Sequence, residues 1–317
     1  MDCSVIFTSA NEYPKICYAV QSVINELDGY CDYEIAMVDN CSTDKTQDHF
    51  SHLKNRRVKY MRYDDKQSHW CAKSYGVAHT TGKYVFFLDS HAVIGRDSIR
   101  NMMEFLDKKE QAGEKIGAVH CYHNAIMMNQ PKEYELKFGK LAYRFMTGQN
   151  ILLGKTEEPY QIGVATTDGM MVPRKVFEDL GTWHPEFGVR AGGEAYMNFK
   201  HSTCGYPHYM HPKANFYHFK ERGYKYVHPY SDWARNNFIC GYVCGGEEWL
   251  DKVYQTYVGR RKITKETGDA FRADVMEKCK DEMEFVKSRQ EISLTDYFNK
   301  WETQPLLAAE RKARKKI

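Results

Sequence analysis

The chain has 317 residues, 42% of them hydrophobic, which allows one large domain or two ordinary ones around a sizeable core. A net charge of +3 is too small to announce a nucleic-acid binder by itself, and no apolar run approaches the roughly 20 residues that span a bilayer. The opening Met-Asp-Cys-Ser lacks a basic region and apolar core, and the ten cysteines are scattered without Cys-x-x-Cys pairs, so the expectation is a cytoplasmic protein with reduced, mostly core thiols and no stable membrane insertion.

In chain order, Cys3–Thr8 reads as a first strand and Ser9–Pro14 as the loop leaving it. A helix follows, with Ile16, Val20, Val23, Ile24 and Leu27 on one face. Glu34–Val38 reads as a second strand running into Asp39-Asn-Cys-Ser-Thr-Asp44, where Ser, Thr and Asp can cap the next helix. Val58–Arg62 is a third strand and Ala72–His79 a helical piece. Tyr84–Leu88 is a continuous apolar run behind Thr80-Thr-Gly82, which suits a strand covered on both faces. This strand–helix alternation predicts βαβ units, hence an α/β fold with a mostly parallel sheet and flanking helices. Ligands bind such sheets at the carboxyl ends of strands. Thr8, Asp39 and Asp89 each stand at one.

The strand at Tyr84 ends in Asp89-Ser90-His91. A carboxylate and an imidazole on alternate residues of a relaxing pleat can reach one cation, and that donor pair suits manganese or a similar divalent ion better than calcium. Taken alone, the triplet also reads as a turn in which Asp89 caps a helix beginning near Asp97. Gly117–Tyr122 is another strand, and Ala125–Thr156 is an irregular stretch rich in Met, Lys and Tyr that reads as an insertion. Gly192-Gly193-Glu194 permits close backbone approach ahead of a carboxylate at a helix start, although an ordinary N-terminal cap is the plainer reading. Phe271, Val275, Cys279 and Val286 fall on one helical face with Met276 and Met283 beside them. Ser293-Leu-Thr-Asp296 then opens a second helix bearing Leu294, Phe298 and Trp301. The basic run Glu310–Ile317 reads as a solvated terminus or a contact to phosphates.

Ser4–Glu12, Ser22–Ile24, Val38–Asp44 and Phe87–His91, in this order and spacing, resemble the nucleotide-sugar half of a family 2 glycosyltransferase. The Asp-Ser-His ending is similar to the polypeptide N-acetylgalactosaminyltransferases, a related retaining family. Asp168–Gly181, Trp183–Gly188, Gly192–Lys200, Asn215–Tyr226, Ser231–Asn237 and Glu247–Tyr254 extend the likeness to about Cys3–Tyr257. The resemblance implies a GT-A (Rossmann-like) catalytic domain over residues 1–257, with 258–317 as a helical C-terminal extension that departs from it. It implies a UDP-sugar donor and a divalent ion, Mn2+ ahead of Mg2+, on Asp89, His91 and His218.

By the same resemblance the nucleotide lies near Thr8, Glu12, Asp39 and Ser90, with Arg222 and Tyr226 over the diphosphate and Lys73 as a further cation. Gly192, Gly193 and Glu194 stand beside the donor sugar or the acceptor hydroxyl, and Asp89, Glu194 and Arg222 carry catalysis. Retention of configuration is expected from the order Asp-x-His, then His218-x-x-x-Arg222. Simpler family 2 enzymes invert, with a carboxylate base at about the place of Glu194. The acceptor is open among a saccharide, a protein Ser or Thr, and a hydroxymethylated base of viral DNA. The non-enzyme alternative, a nucleotide-sugar or nucleic-acid binding protein, is disfavoured by the intact metal and carboxylate set.

Overall fold

The computed structural model describes residues 1–127, 133–136, 142–144, 147–149, 157–220 and 229–301, those from 125 to 149 and residue 220 through their backbone. The expected alternation is there: β1 (Cys3–Ser9), α1 (Lys15–Leu27), β2 (Tyr33–Asp39), α2 (Thr46–Ser51), β3 (Val58–Arg62), α3 (His69–Ala78) and β4 (Tyr84–Asp89) follow one another. β1 pairs in parallel with β2 and β4, and β2 with β3. That register sets Thr8 opposite Asp89 and Ser9 opposite Asp39, so the polar strand ends share one edge of the sheet. β1, β2 and β4 are buried along almost their whole length because successive residues enter different cores. Ile6, Ala36, Val38, Val85 and Phe87 pack on one face. Val5, Phe7, Ile35, Met37, Phe86 and Leu88 pack on the other, where α1 buries Ile16, Ala19, Val20, Val23 and Leu27.

After Asp89 the chain does not enter a helix. It turns at Ser90 and His91 into β5 (Ala92–Ile94), and only then forms α4 (Ser98–Gln111). The Glu26 carboxylate, not Asp89, accepts from the backbone N–H groups of Asp97 and Ile99 at the start of α4. The capping reading of Asp89 is therefore corrected. Next come β6 (Ala118–Met127), β7 (Glu133–Leu136), β8 (Ala142–Arg144), β9 (Thr147–Gln149), β10 (Tyr160–Ile162), β11 (Met170–Pro173), α5 (Arg174–Leu180), α6 (Gly193–Thr203) and β12 (His208–Lys220). The main path of the sheet runs β10-β12-β6-β11-β4-β1-β2-β3, with β5 on β12 and β7 on β6, while β8 and β9 pair separately. The sheet is parallel in its N-terminal half and mixed beyond β4, because β11 runs antiparallel to both β4 and β6. Most of the stretch read as an insertion lies outside the described residues or is described by backbone alone.

α7 (Tyr230–Tyr257) bends at Gly246, whose φ of +67° no helix accommodates. The apolar face expected on one helix is split between α8 (Lys265–Lys278) and α9 (Lys280–Arg289), with a break at Cys279. Val275, Cys279 and Val286 are fully buried all the same, because both helices pack on the core of α6 and α7. α10 (Leu294–Trp301) is capped by Ser293, whose Oγ accepts from Asp296 N and donates to the Asp296 carboxylate, the serine half of the expected capping box. All ten cysteines are free and seven are buried, as core thiols should be. Among the described residues no helix is long and apolar enough to cross a membrane. The basic tail lies outside the described residues.

Candidate active site at the carboxyl ends of the strands

A cleft of about 450 Å³ opens where β1, β2 and β4 end. Thr8, Glu12, Ser90, His91, Asp89, His218 and Glu194 all line it, with Asn40, His69, Asp168, Arg190 and His123. Segments far apart in sequence arrive there for topological reasons. The turn at Ser90 sends β5 antiparallel to β12, pairing Ala92 with His218, so the His91 and His218 rings meet edge to face with centroids 4.5 Å apart. β11 runs antiparallel to β4, which brings Asp168 beside the end of β4. There Asp168 Oδ1 accepts from Asp89 N at 2.8 Å. β12 runs parallel to β6, and His123 stacks on Phe216 and lies 4.9 Å from the His218 ring.

His218 Nε2 faces two carboxylates, 3.4 Å from Asp89 Oδ2 and 3.8 Å from Asp168 Oδ2. Asp89, His91 and His218 each offer a ligand atom within 4.8 Å of the others, and so do His123, Asp168 and His218. Burial opposes the charge of Asp89, but the His218 hydrogen bond and nearby Lys73, His69 and His91 outweigh it and hold its pKa well below the carboxylate range. Burial, and then the charge of Asp89, pushes Asp168 up to about 7. Burial takes His91 down to about 4, leaving a neutral imidazole, the form that binds metals. Donors of this type, gathered this closely at a half-open cleft, fit a divalent transition ion.

The other expected residues divide. Thr8 Oγ1 lies 3.0 Å from His69 Nδ1. Glu12 meets Lys15 at 3.3 Å and His91 at 3.6 Å. Glu194 occupies the first turn of α6, and burial raises its pKa against the pull of its own helix N–H, Arg190 and Lys73. Asp39 does not line the cleft. Its fully buried carboxylate accepts from Ser42 N at 2.9 Å, Tyr60 OH at 2.8 Å and Arg62 Nη1 at 3.3 Å, and its neighbour Asn40 takes the cleft position. Lys73 is corrected too: it is fully buried below the floor, donating to Thr167 Oγ1 at 2.8 Å, because α3 turns it inward against Trp70 and Phe87.

Gly192 and Gly193 line no part of the cleft. Gly192 has φ +75°, and a Cβ on Gly193 would sit 2.3 Å from the buried Trp70 ring, so these glycines serve helix packing. Arg222 and Tyr226 lie outside the described residues. Asp168 and His123 were missed. The only local signal was a carboxylate just before the apolar run Met170–Val172, and His123 carried none.

The chain matches the family model described as "Glycosyl transferase family 2" over residues 4–181. Human polypeptide N-acetylgalactosaminyltransferase 14 is 22% identical over 270 residues, 83% of this chain and 48% of that protein. An uncharacterized glycosyltransferase of Haemophilus influenzae is 29% identical over 97 residues, 30% of this chain and 39% of its own. The chain thus spans less than half the length of these curated relatives. The crystal structure of GalNAc-T7 with UDP, GalNAc and Mn2+ superposes with a TM-score of 0.73 at 20% identity, covering 89% of this chain and 55% of that one. S. aureus TarS 1–349 in complex with UDP-GlcNAc gives 0.56 at 13% identity, over 99% and 92% of the two chains. These superpositions show the shared GT-A-type fold.

Proposed function

The chain belongs to glycosyl transferase family 2, and on that premise we propose that it transfers a sugar from a UDP-sugar to an acceptor hydroxyl, with a divalent ion on Asp89, His91 and His218. The observation that carries this reading is the gathering of those three donors within 4.8 Å at the end of the central strand, in the cleft where such a fold binds nucleotides. The ion, Mn2+ by preference, would offset the charge of the leaving diphosphate. Lys15 and Arg190 bring positive charge to the same wall. Thr8, Glu12, Asn40 and Ser90 would position the nucleotide. UDP bound to GalNAc-T7 and UDP-GlcNAc bound to TarS support the choice of donor. UDP with Mn2+ at a hundred times its Kd should stabilise the fold by about 2.7 kcal/mol, a melting shift of about 5 °C, and GDP should do less. Equal or greater protection by GDP, or protection indifferent to Mn2+, overturns the assignment.

Retention is the stereochemical outcome we propose, with Glu194 orienting donor or acceptor instead of acting as the base. Glu194→Gln keeps size and hydrogen bonding, so it should retain transfer within about tenfold of the parent, whereas loss of a true general base costs about 10² to 10⁴. The product's anomeric coupling in NMR decides directly. A β-linked product from an α-linked UDP-hexopyranose of the gluco or galacto type makes Glu194 the base and the enzyme inverting. Mass spectrometry against a panel of saccharide, peptide and hydroxymethylated-DNA acceptors assigns the acceptor class.

A further inference from the structure

The cleft contains a second group of ligand atoms behind the first. His123 and Asp168 are each only 6% exposed and His218 9%, whereas the side chains of Asp89 and His91 are 23% and 26% exposed. One oxygen of Asp168 is fixed by the backbone N–H of Asp89, and that bond aims the other, Oδ2, toward the histidines. There Oδ2 is buried without a hydrogen-bond partner. A buried carboxylate oxygen left unpaired costs free energy that a bound cation would recover. Two imidazoles and one carboxylate form a donor set for a divalent transition ion, with Zn2+ held more tightly than Mn2+ by the usual order of affinities. Ligand atoms on a tetrahedral ion sit about 3.4 Å apart, so the observed 3.8 Å between His218 Nε2 and Asp168 Oδ2 needs little closure.

His218 serves both groups through the nitrogen that faces Asp89 and Asp168. One nitrogen lone pair holds one ion. The two positions are therefore alternatives. The outer position, on Asp89, His91 and His218, is open on the cleft side and can share its ion with a diphosphate. The inner one is more deeply buried and offers three protein ligands without any substrate.

We propose that His123, Asp168 and His218 form an inner site for Zn2+ or a similar transition ion, which fills without nucleotide and withdraws His218 from the outer position. The competition, though not the inner site itself, rests on the outer position being the one used with UDP. The result would be inhibition by Zn2+ of Mn2+-supported nucleotide binding.

Equilibrium dialysis of the full chain, free of any histidine tag, against Zn2+ alone tests this, with bound metal counted by atomic emission. The parent should bind about one Zn2+ per chain, and Asp168→Asn and His123→Gln should each weaken it about tenfold or more. Asp89→Asn and His91→Gln should leave it within about threefold, since neither donates to the inner ion. Circular dichroism of each variant separates ligand loss from unfolding, and two independent inner variants guard against one folding failure. A parent that binds no Zn2+, binding indifferent to both inner substitutions, or equal loss in Asp89→Asn overturns the proposal. The earlier reading fails separately: if Mn2+ does not strengthen UDP protection but Zn2+ still binds through Asp168 and His123, the inner site stands and the outer assignment falls.

Discussion

Asp89→Ala should lower sugar transfer by about 10³-fold or more while leaving the melting temperature within about 3 °C of the parent. The loss follows from geometry: without its carboxylate the outer position keeps only His91 and His218, too few donors to hold an ion at the diphosphate. The fold should persist because Asp89 ends a strand instead of filling a core, and because its removal relieves the repulsion that helps push Asp168 up to about 7. Product mass spectrometry with Mn2+, paired with a thermal melt, checks both halves. Undiminished transfer by the variant in the presence of a chelator would remove Asp89 and the metal from the reaction.

Acid should unfold the protein through a different cluster. His120, His208 and His201 form a buried chain: His120 Nδ1 donates to the Thr166 carbonyl, which can only accept, and Nε2 lies 3.0 Å from His208 Nδ1. His208 Nε2 in turn lies 3.2 Å from His201 Nδ1. The carbonyl sets the order of donors and acceptors along all three rings, and that order requires His120 and His208 to be neutral. Burial takes His120 down to about 3, and burial with the neighbouring charges takes His201 and His208 well below their ordinary range. A histidine with a depressed folded pKa gives stability that is present above about pH 6.5 and is lost as pH falls toward the folded value. At pH 5 the loss from His120 is about 2 kcal/mol, and His201 and His208 act in the same direction.

Asp168 and Glu194, whose pKa values are raised, act in the opposite sense, so the parent's fall alone does not isolate the histidines. The comparison with His208→Gln does. Between pH 7.5 and 5 the parent should lose more stability than this variant in denaturant unfolding. Equal losses would show that the chain of rings does not control acid stability.

The periodicity of the sequence determined much of the fold on its own. Continuous apolar runs marked β1, β2 and β4 because these strands are covered on both faces, and the spacing of Ile16, Val20, Val23 and Leu27 marked α1. Polar residues at the ends of those runs pointed to the right edge of the sheet, and Asp89-Ser90-His91 to the right turn. Such signals are local: they record which side of an element is buried and where it stops. What the sequence could not show was which side chains meet across the sheet. That depends on the order and direction of strands distant in the chain. Asp168 reaches Asp89 from 79 residues away only because β11 runs antiparallel to β4. His123 reaches His218 only because β12 lies parallel beside β6. The same dependence explains the misreadings. Lys73 is polar and near the site in sequence, but α3 faces it into the core. Gly192 and Gly193 look like room for a ligand, but tertiary packing gives that room to Asn236 and Trp70.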